Sequence, residues 1–170
     1  MDLKSFIRDV PDFPKPGIVF KDITPLLGDH QALRQALSAL AEHFRGRGIV
    51  KVVGIESRGY IFAPAIALDL DAGFVPVRKP GKLPWRTAAE EYALEYGKDR
   101  LEIHTDALRP GEKVLVVDDL LATGGTAAAT RRLVERLGGT VVGAGFLVEL
   151  SFLEGRSRLP GIDVLSLVRY

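Results

Sequence analysis

The sequence predicts an α/β fold, a mostly parallel twisted sheet flanked by helices, and three observations carry that prediction. Short apolar runs of strand length, at residues 51–55, 74–77 and 113–117, alternate with segments whose apolar residues recur at helical spacing. The connections between these runs are long enough for helical crossovers, which parallel strands require. Finally, two polar stretches, Glu56 to Gly59 and Asp118 to Thr126, each follow directly on a strand and precede a helix. Loops at the carboxyl ends of parallel strands are where such sheets bind ligands, so these two can face one crevice.

The elements follow in order. Residues 2–8 can form a short helix, after which Pro11, Pro14 and Pro16 make a stiff, irregular arm. Residues 18–23 read as an extended segment packed on the domain edge, or as a cover over a flat ligand that uses Phe20 and backbone amides. From Asp29 a helix is expected, with Leu33, Leu37, Leu40 and Phe44 on one stripe and Gly46 and Gly48 closing it. The strand at 51–55 ends at Glu56, Ser57, Arg58 and Gly59. A proline is tolerated in a helix's first turn, so Pro64 sets the next helix to begin near Ile61 or Phe62. Arg58 can hold a phosphate through its planar fork, or simply pair with Glu56.

After the strand at 74–77, residues 78–97 differ from the rest of the chain. Arg78, Lys79, Lys82 and Arg86 come first, and Glu90, Glu91 and Glu95 follow. A long charged insertion of this kind is either disordered or a functional lid. The alternation of Tyr92, Leu94 and Tyr96 makes its second half extended. The strand at 113–117 is then followed by two carboxylates, Asp118 and Asp119. Next comes a small-residue loop, and a helix to about Leu137 whose inward residues are Ala129, Leu133, Val134 and Leu137. Strands at 140–150 and 163–168 complete the chain. Gly143 and Gly145 lie inside a strand and so are no dinucleotide fingerprint, and no GxxxxGK[ST] sequence occurs.

Composition narrows the function. With 170 residues the chain forms one domain, and 23 basic against 22 acidic side chains give a net charge of +1, so nothing pulls it towards nucleic acid or an anionic membrane. There is no cysteine, which excludes disulfides, thiolate metal sites and a cysteine nucleophile and fits a reducing cytoplasm. No apolar run is long enough for a signal peptide or a membrane span. His30, His43 and His104 lie far apart and show no metal-ligand spacing. The chemistry therefore concentrates at residues 118–126. A loop opening a helix attracts phosphate, while two aspartates beside it are wasteful unless a ligand bridges them. A ribose 5-phosphate, with hydroxyls at one end and phosphate at the other, meets both demands. Adjacent strand residues face opposite sides, so the two aspartates are not expected to be equivalent.

Together these segments resemble the type I phosphoribosyltransferases, and within them the members that use adenine. The resemblance covers nearly the whole chain. It rests on residues 116–126 as the phosphoribosyl pyrophosphate motif, Glu56 to Gly59 as the pyrophosphate loop, residues 14–22 as an adenine-binding hood (about 1–28), and Leu94 to Gly97 in a flexible lid (about 78–97).

The resemblance implies transfer of ribose 5-phosphate from phosphoribosyl pyrophosphate to N9 of adenine, giving AMP and pyrophosphate with Mg²⁺. It assigns the 5-phosphate to Ala122, Thr123, Gly124, Gly125 and Thr126, the ribose to Asp118 and Asp119, and the pyrophosphate to Ser57, Arg58 and Gly59 with Arg78 and Lys82 closing over it. Val19, Phe20, Lys21 and Leu120 take the base, and Glu95 manages the N9 proton. Family members often hold a cis peptide between the residues matching Ser57 and Arg58. Mg²⁺ is expected to ride on substrate oxygens without a dedicated protein cage, with Asp118 or Asp119 reaching it through water. Relatives that use 6-oxopurines commonly carry an aspartate where this chain has Ala122, which favours adenine. Lys21 stands where relatives often have arginine, and residues 85–91 depart from the family pattern. A homodimer is expected from the same resemblance. The competing readings are a sister enzyme for another purine and a non-catalytic regulator on the same fold. A phosphoribosyl pyrophosphate synthetase is excluded by length.

Overall fold

The computed structural model describes residues 1–94 and 97–170. Its centre is a parallel sheet of five strands in the order β4-β3-β7-β8-β9, formed by β3 (Lys51–Ile55), β4 (Gly73–Val77), β7 (Lys113–Leu121), β8 (Thr140–Glu149) and β9 (Asp163–Arg169). Helices α2 (His30–Phe44), α3 (Gly59–Asp69) and α4 (Gly125–Arg136) cover it, preceded by the short α1 (Thr24–Gly28). One apolar cluster joins α4 to the sheet through Ala129, Leu133 and Val134, and a second joins α2 and α3 to it through Leu40, Phe44, Phe62 and Ile66. Both faces of β7 are therefore buried, which is why Val114 to Val117 read as a continuous apolar run. Among the described residues, no helix is long and apolar enough to cross a membrane.

Several local expectations shift. The proline arm is the tip of an antiparallel hairpin, β1 (Arg8–Pro11) with β2 (Val19–Asp22). Pro11 ends its strand, where a missing N–H costs no ladder bond. Ahead of it, residues 2–8 hold a single 3₁₀ turn at Leu3–Phe6. Helix α3 begins at Gly59, two to three residues before the expected start, so Pro64 lies inside it. Within the segment 78–97, β5 (Thr87–Leu94) forms and pairs antiparallel with β6 (Gly97–His104). Strand β7 runs to Leu121, so Asp118 and Asp119 lie within it. The long β8 keeps the ladder going, with Asp118 opposite Phe146 and Leu121 opposite Glu149.

Helix α2 starts where expected because the Asp29 side chain accepts the Gln31 and Ala32 amides at 3.0 and 2.9 Å. Its deepest residues include the alanines Ala32, Ala36 and Ala41 beside Leu40 and Phe44, while Leu33 and Leu37 are half-buried. The strand glycines explain this close approach. A Cβ on Gly143 would stand 2.4 Å from the Phe44 ring, so the ring occupies the space of the missing side chain. Gly143→Ala is expected to destabilise the fold by about 1–3 kcal/mol, the usual range for overpacking. Urea denaturation reads this directly. An unchanged midpoint would mean that α2 moves off the sheet freely.

Candidate functional site

The site begins with strand pairing. Strands β3 and β7 are parallel neighbours with Gly54 opposite Val117, so residues 56–59 and 118–126 leave the sheet side by side. Arg58 Nε meets Asp119 Oδ2 at 2.6 Å, joining the two loops. Glu56, the other partner open to Arg58, is engaged elsewhere. Arg78 grips both its carboxylate oxygens at 3.1 and 3.2 Å, and the Lys79 amide donates to it at 2.9 Å. The Arg78 hydrogen bonds hold the Glu56 carboxyl below the usual carboxylate range. A cis peptide is present one bond earlier than the family pattern implied, at Glu56–Ser57.

Ala122, Thr123, Gly124, Gly125 and Thr126 wrap one pocket with Asp118, Asp119 and Arg58 at its mouth. Gly124 has φ +79°, a left-handed turn that only glycine adopts without strain, and it delivers the chain into α4. No side chain caps that helix, so its first amides are available to an anion. The two aspartates differ, as expected. Asp119 is buried and paired with Arg58, whereas half-buried Asp118 accepts the Asp119 amide at 2.9 Å. Burial first, and then the Asp119 charge, push the Asp118 carboxyl well above the usual range.

A second, mostly apolar slot adjoins the first and shares Arg58, Asp119 and Leu120 with it. Val19, Phe20 and Lys21 form its outer wall. Phe20 is steadied by an edge contact with Phe13 at 5.2 Å and lies 5.3 Å from the Arg58 guanidinium. The Lys21 ammonium is committed to Asp9 at 2.6 Å and to the Tyr170 ring at 3.8 Å.

The third pocket lies between the Ser57–Arg58 loop and the β5–β6 hairpin. Arg78 and Lys82 were expected here and are not among its lining residues, which include Lys79, Tyr92 and Thr126 together with Glu56, Ser57, Arg58 and both aspartates, Asp118 and Asp119. Arg78 is held by Glu56 and by the Lys82 carbonyl at 3.2 Å, and Lys82 is exposed. Lys79 pairs closely with Asp99, Tyr92 donates to Asp99 at 3.0 Å, and Thr126 donates to Tyr92 at 3.4 Å. Sequence reasoning passed over Lys79 and Asp99. The alternation around Tyr92 was the available signal, since a buried tyrosine needs a partner for its hydroxyl. Glu95 lies outside the described residues.

A carboxyl whose folded-state value lies above its unfolded one penalises folding at high pH, and the penalty fades as pH falls through the folded value. Asp118 is in that position. Asp118→Asn keeps an acceptor for the Asp119 amide, and is expected to raise the thermal midpoint of the ligand-free protein at about pH 8. The gain should shrink towards about pH 4, near the ordinary carboxylate range. A lower midpoint for the variant at high pH would contradict this.

The model of the phosphoribosyl transferase domain matches residues 26–160. The chain is 64% identical over its full length, and over the full length of that relative, to the adenine phosphoribosyltransferase of Symbiobacterium thermophilum. It superposes on the crystal structure of the Rhodothermus marinus adenine phosphoribosyltransferase with a TM-score of 0.94 at 60% identity, covering 99% of this chain and 96% of that one. It also matches the Saccharomyces cerevisiae enzyme, complexed with an imino-altritol bisphosphate and adenine, with a TM-score of 0.89 at 44% identity over 97% and 96% of the two chains. The chain thus belongs to the phosphoribosyltransferase family, among its adenine phosphoribosyltransferases.

Proposed function

We propose that this protein transfers ribose 5-phosphate from phosphoribosyl pyrophosphate to N9 of adenine, releasing pyrophosphate and forming AMP. The observation that carries the reading is the meeting of four features at one sheet end: an amide-lined cradle, two adjacent carboxylates, a cation and an apolar slot. The similarity to adenine phosphoribosyltransferases over the whole chain supports the choice of base.

The reaction asks for charge separation, and the residues suit it. As the bond from C1 of the ribose to pyrophosphate lengthens, the sugar becomes cationic and the departing oxygens gain negative charge. The Asp119 charge already opposes ionisation of Asp118 in the free protein, so positive charge that develops on a sugar beside the two carboxylates offsets that repulsion as the transition state forms. Arg58, with the amides of Ser57 and Gly59, takes the leaving group, exchanging Asp119 for pyrophosphate when donor binds. Ala122 to Thr126 hold the 5-phosphate. Val19, Phe20, Lys21 and Leu120 hold adenine, with residues 1–28 as the hood. Ala122 offers a methyl group and no carboxylate for a 6-oxopurine. Glu95 receives the N9 proton, and Arg78 and Lys82 act from the lid at residues 78–97, which keeps water from C1.

Among the described residues no cluster of acidic or histidine side chains forms a metal cage. Magnesium prefers one or two carboxylates plus substrate oxygens and water, so Asp118 and Asp119 fit an ion that arrives with the donor. When bound, Mg²⁺ neutralises charge on the pyrophosphate. The reading extends to a cytoplasmic homodimer, supported by the absence of cysteine and by exposed Ile61, Leu68 and Phe74.

Incubating the protein with phosphoribosyl pyrophosphate, Mg²⁺ and each purine tests the reaction. AMP from adenine, with little nucleotide from hypoxanthine, guanine or xanthine, is expected, and no AMP would overturn the reading. Sedimentation at micromolar concentration should give twice the 18.5 kDa chain mass. A monomer would remove the dimer from the proposal.

A further inference from the structure

The loop that wraps the cradle is shaped from outside. Residues 122–124 lie against the turn that joins β8 to β9, with no side chain between the two backbones. A Cβ on Gly155 would stand 2.2 Å from the Ala122 carbonyl oxygen and 2.9 Å from the Gly124 nitrogen. Conversely, a Cβ on Gly124 would stand 2.3 Å from the Gly155 carbonyl oxygen. Gly155 is buried and its φ is not left-handed, so the position needs glycine for space.

Next in the chain, Arg156 is clamped on several sides. Its Nε and Nη2 grip Glu149 at 3.1 and 2.6 Å, its Nη1 donates to the Val164 carbonyl at 2.6 Å, and Nη2 reaches Ser166 Oγ at 3.5 Å. Glu149 is buried and also meets Arg169 at 3.3 Å. The Arg156 hydrogen bonds hold the Glu149 carboxyl below the usual carboxylate range. Glu149 stands opposite Leu121 in the β7–β8 register, one residue before the cradle begins. The clamp and the loop it presses on therefore share one anchor in the sheet.

We propose that Gly155, locked by the Glu149–Arg156 pair, is a positioning element for the 5-phosphate cradle, holding residues 122–124 in their donor-binding shape before donor arrives. The inference rests on the reading of this pocket as the phosphoribosyl site. Amides already aimed at a phosphate need no reorganisation on binding, and small misplacements of a binding group are costly. Neither Gly155 nor Arg156 lines the cradle pocket, so their effect passes through the backbone of residues 122–124.

The test uses Gly155→Ala and Arg156→Lys in the purified protein, with the donor and adenine varied separately, and with ribose 5-phosphate alone as a thermal-shift probe. Gly155→Ala is expected to raise the donor KM roughly tenfold to a hundredfold, the scale of an ångström-sized displacement. The adenine KM should change by no more than about twofold, the slot being separate, and stabilisation by ribose 5-phosphate should vanish. Arg156→Lys keeps the charge but loses the two-pronged grip, and should move the same parameters less. Unchanged donor KM and probe stabilisation in both variants would overturn the proposal, as would equal losses for both substrates, which would mark a merely structural role. Should Gly155→Ala fail to fold, Arg156→Lys decides alone by the same criterion. If the unmodified protein formed no AMP, the functional reading would fall, while loss of the ribose 5-phosphate shift in the variants would still report on the cradle.

Discussion

Parallel pairing of β3 with β7 is the constraint on which the site depends. Strands that run the same way end on the same side, so their exit loops become neighbours without any further device. With Gly54 opposite Val117, Arg58 reaches Asp119 at 2.6 Å and both border the cradle. A one-residue slip of β7 would exchange the faces of Asp118 and Asp119 and bury the wrong carboxylate. Burial of both faces of β7 makes that slip costly. The bare Gly54 lets α3 pack close, since a Cβ there would fall 2.7 Å from that of Ala63.

The charges gathered at this sheet end work against folding in the free molecule. Asp118 and Asp119 sit next to each other in a poorly solvated place, and Arg58 pairs directly with the second while its charge only partly offsets the burial and repulsion felt by the first. Among the described residues elsewhere, buried Glu149 is met by Arg156 and Arg169, and half-buried Glu56 by Arg78. The contrast is the physical mark of a binding site, in which the missing partner is the ligand. It also explains why Glu56 matters despite standing outside the phosphate contacts. By occupying Arg78 it leaves Arg58 free for Asp119.

Much of this was legible in the sequence, for reasons that differ by residue. The sheet strands could be read from apolar runs, because burial on both faces leaves no room for polar residues in Val114 to Val117. The cradle could be read because a left-handed Gly124 and an uncapped helix start demand small residues in series. Partner choice was not legible. Nothing local tells whether Arg58 pairs with Glu56 or Asp119, since Arg78, just past the end of β4, settles the competition. The Lys79–Asp99–Tyr92 cluster is built across the β5–β6 hairpin, a pairing that single-sequence periodicity does not report. Gly143 and Gly145 could be excluded from a nucleotide motif, but their use as seats for Phe44 and Leu40 depends on a helix distant in sequence.

The central claim is that two strand-end loops form one crevice for a phosphoribosyl donor, with the apolar slot beside it for the base. A crystal structure with phosphoribosyl pyrophosphate, Mg²⁺ and an unreactive adenine analogue tests it most directly. The account predicts the 5-phosphate on the amides of residues 122–126, the ribose hydroxyls at Asp118 and Asp119, Arg58 turned from Asp119 to the pyrophosphate, and the base between Phe20 and Leu120. Donor bound elsewhere, or bound here with its pyrophosphate in the 122–126 cradle, would contradict it.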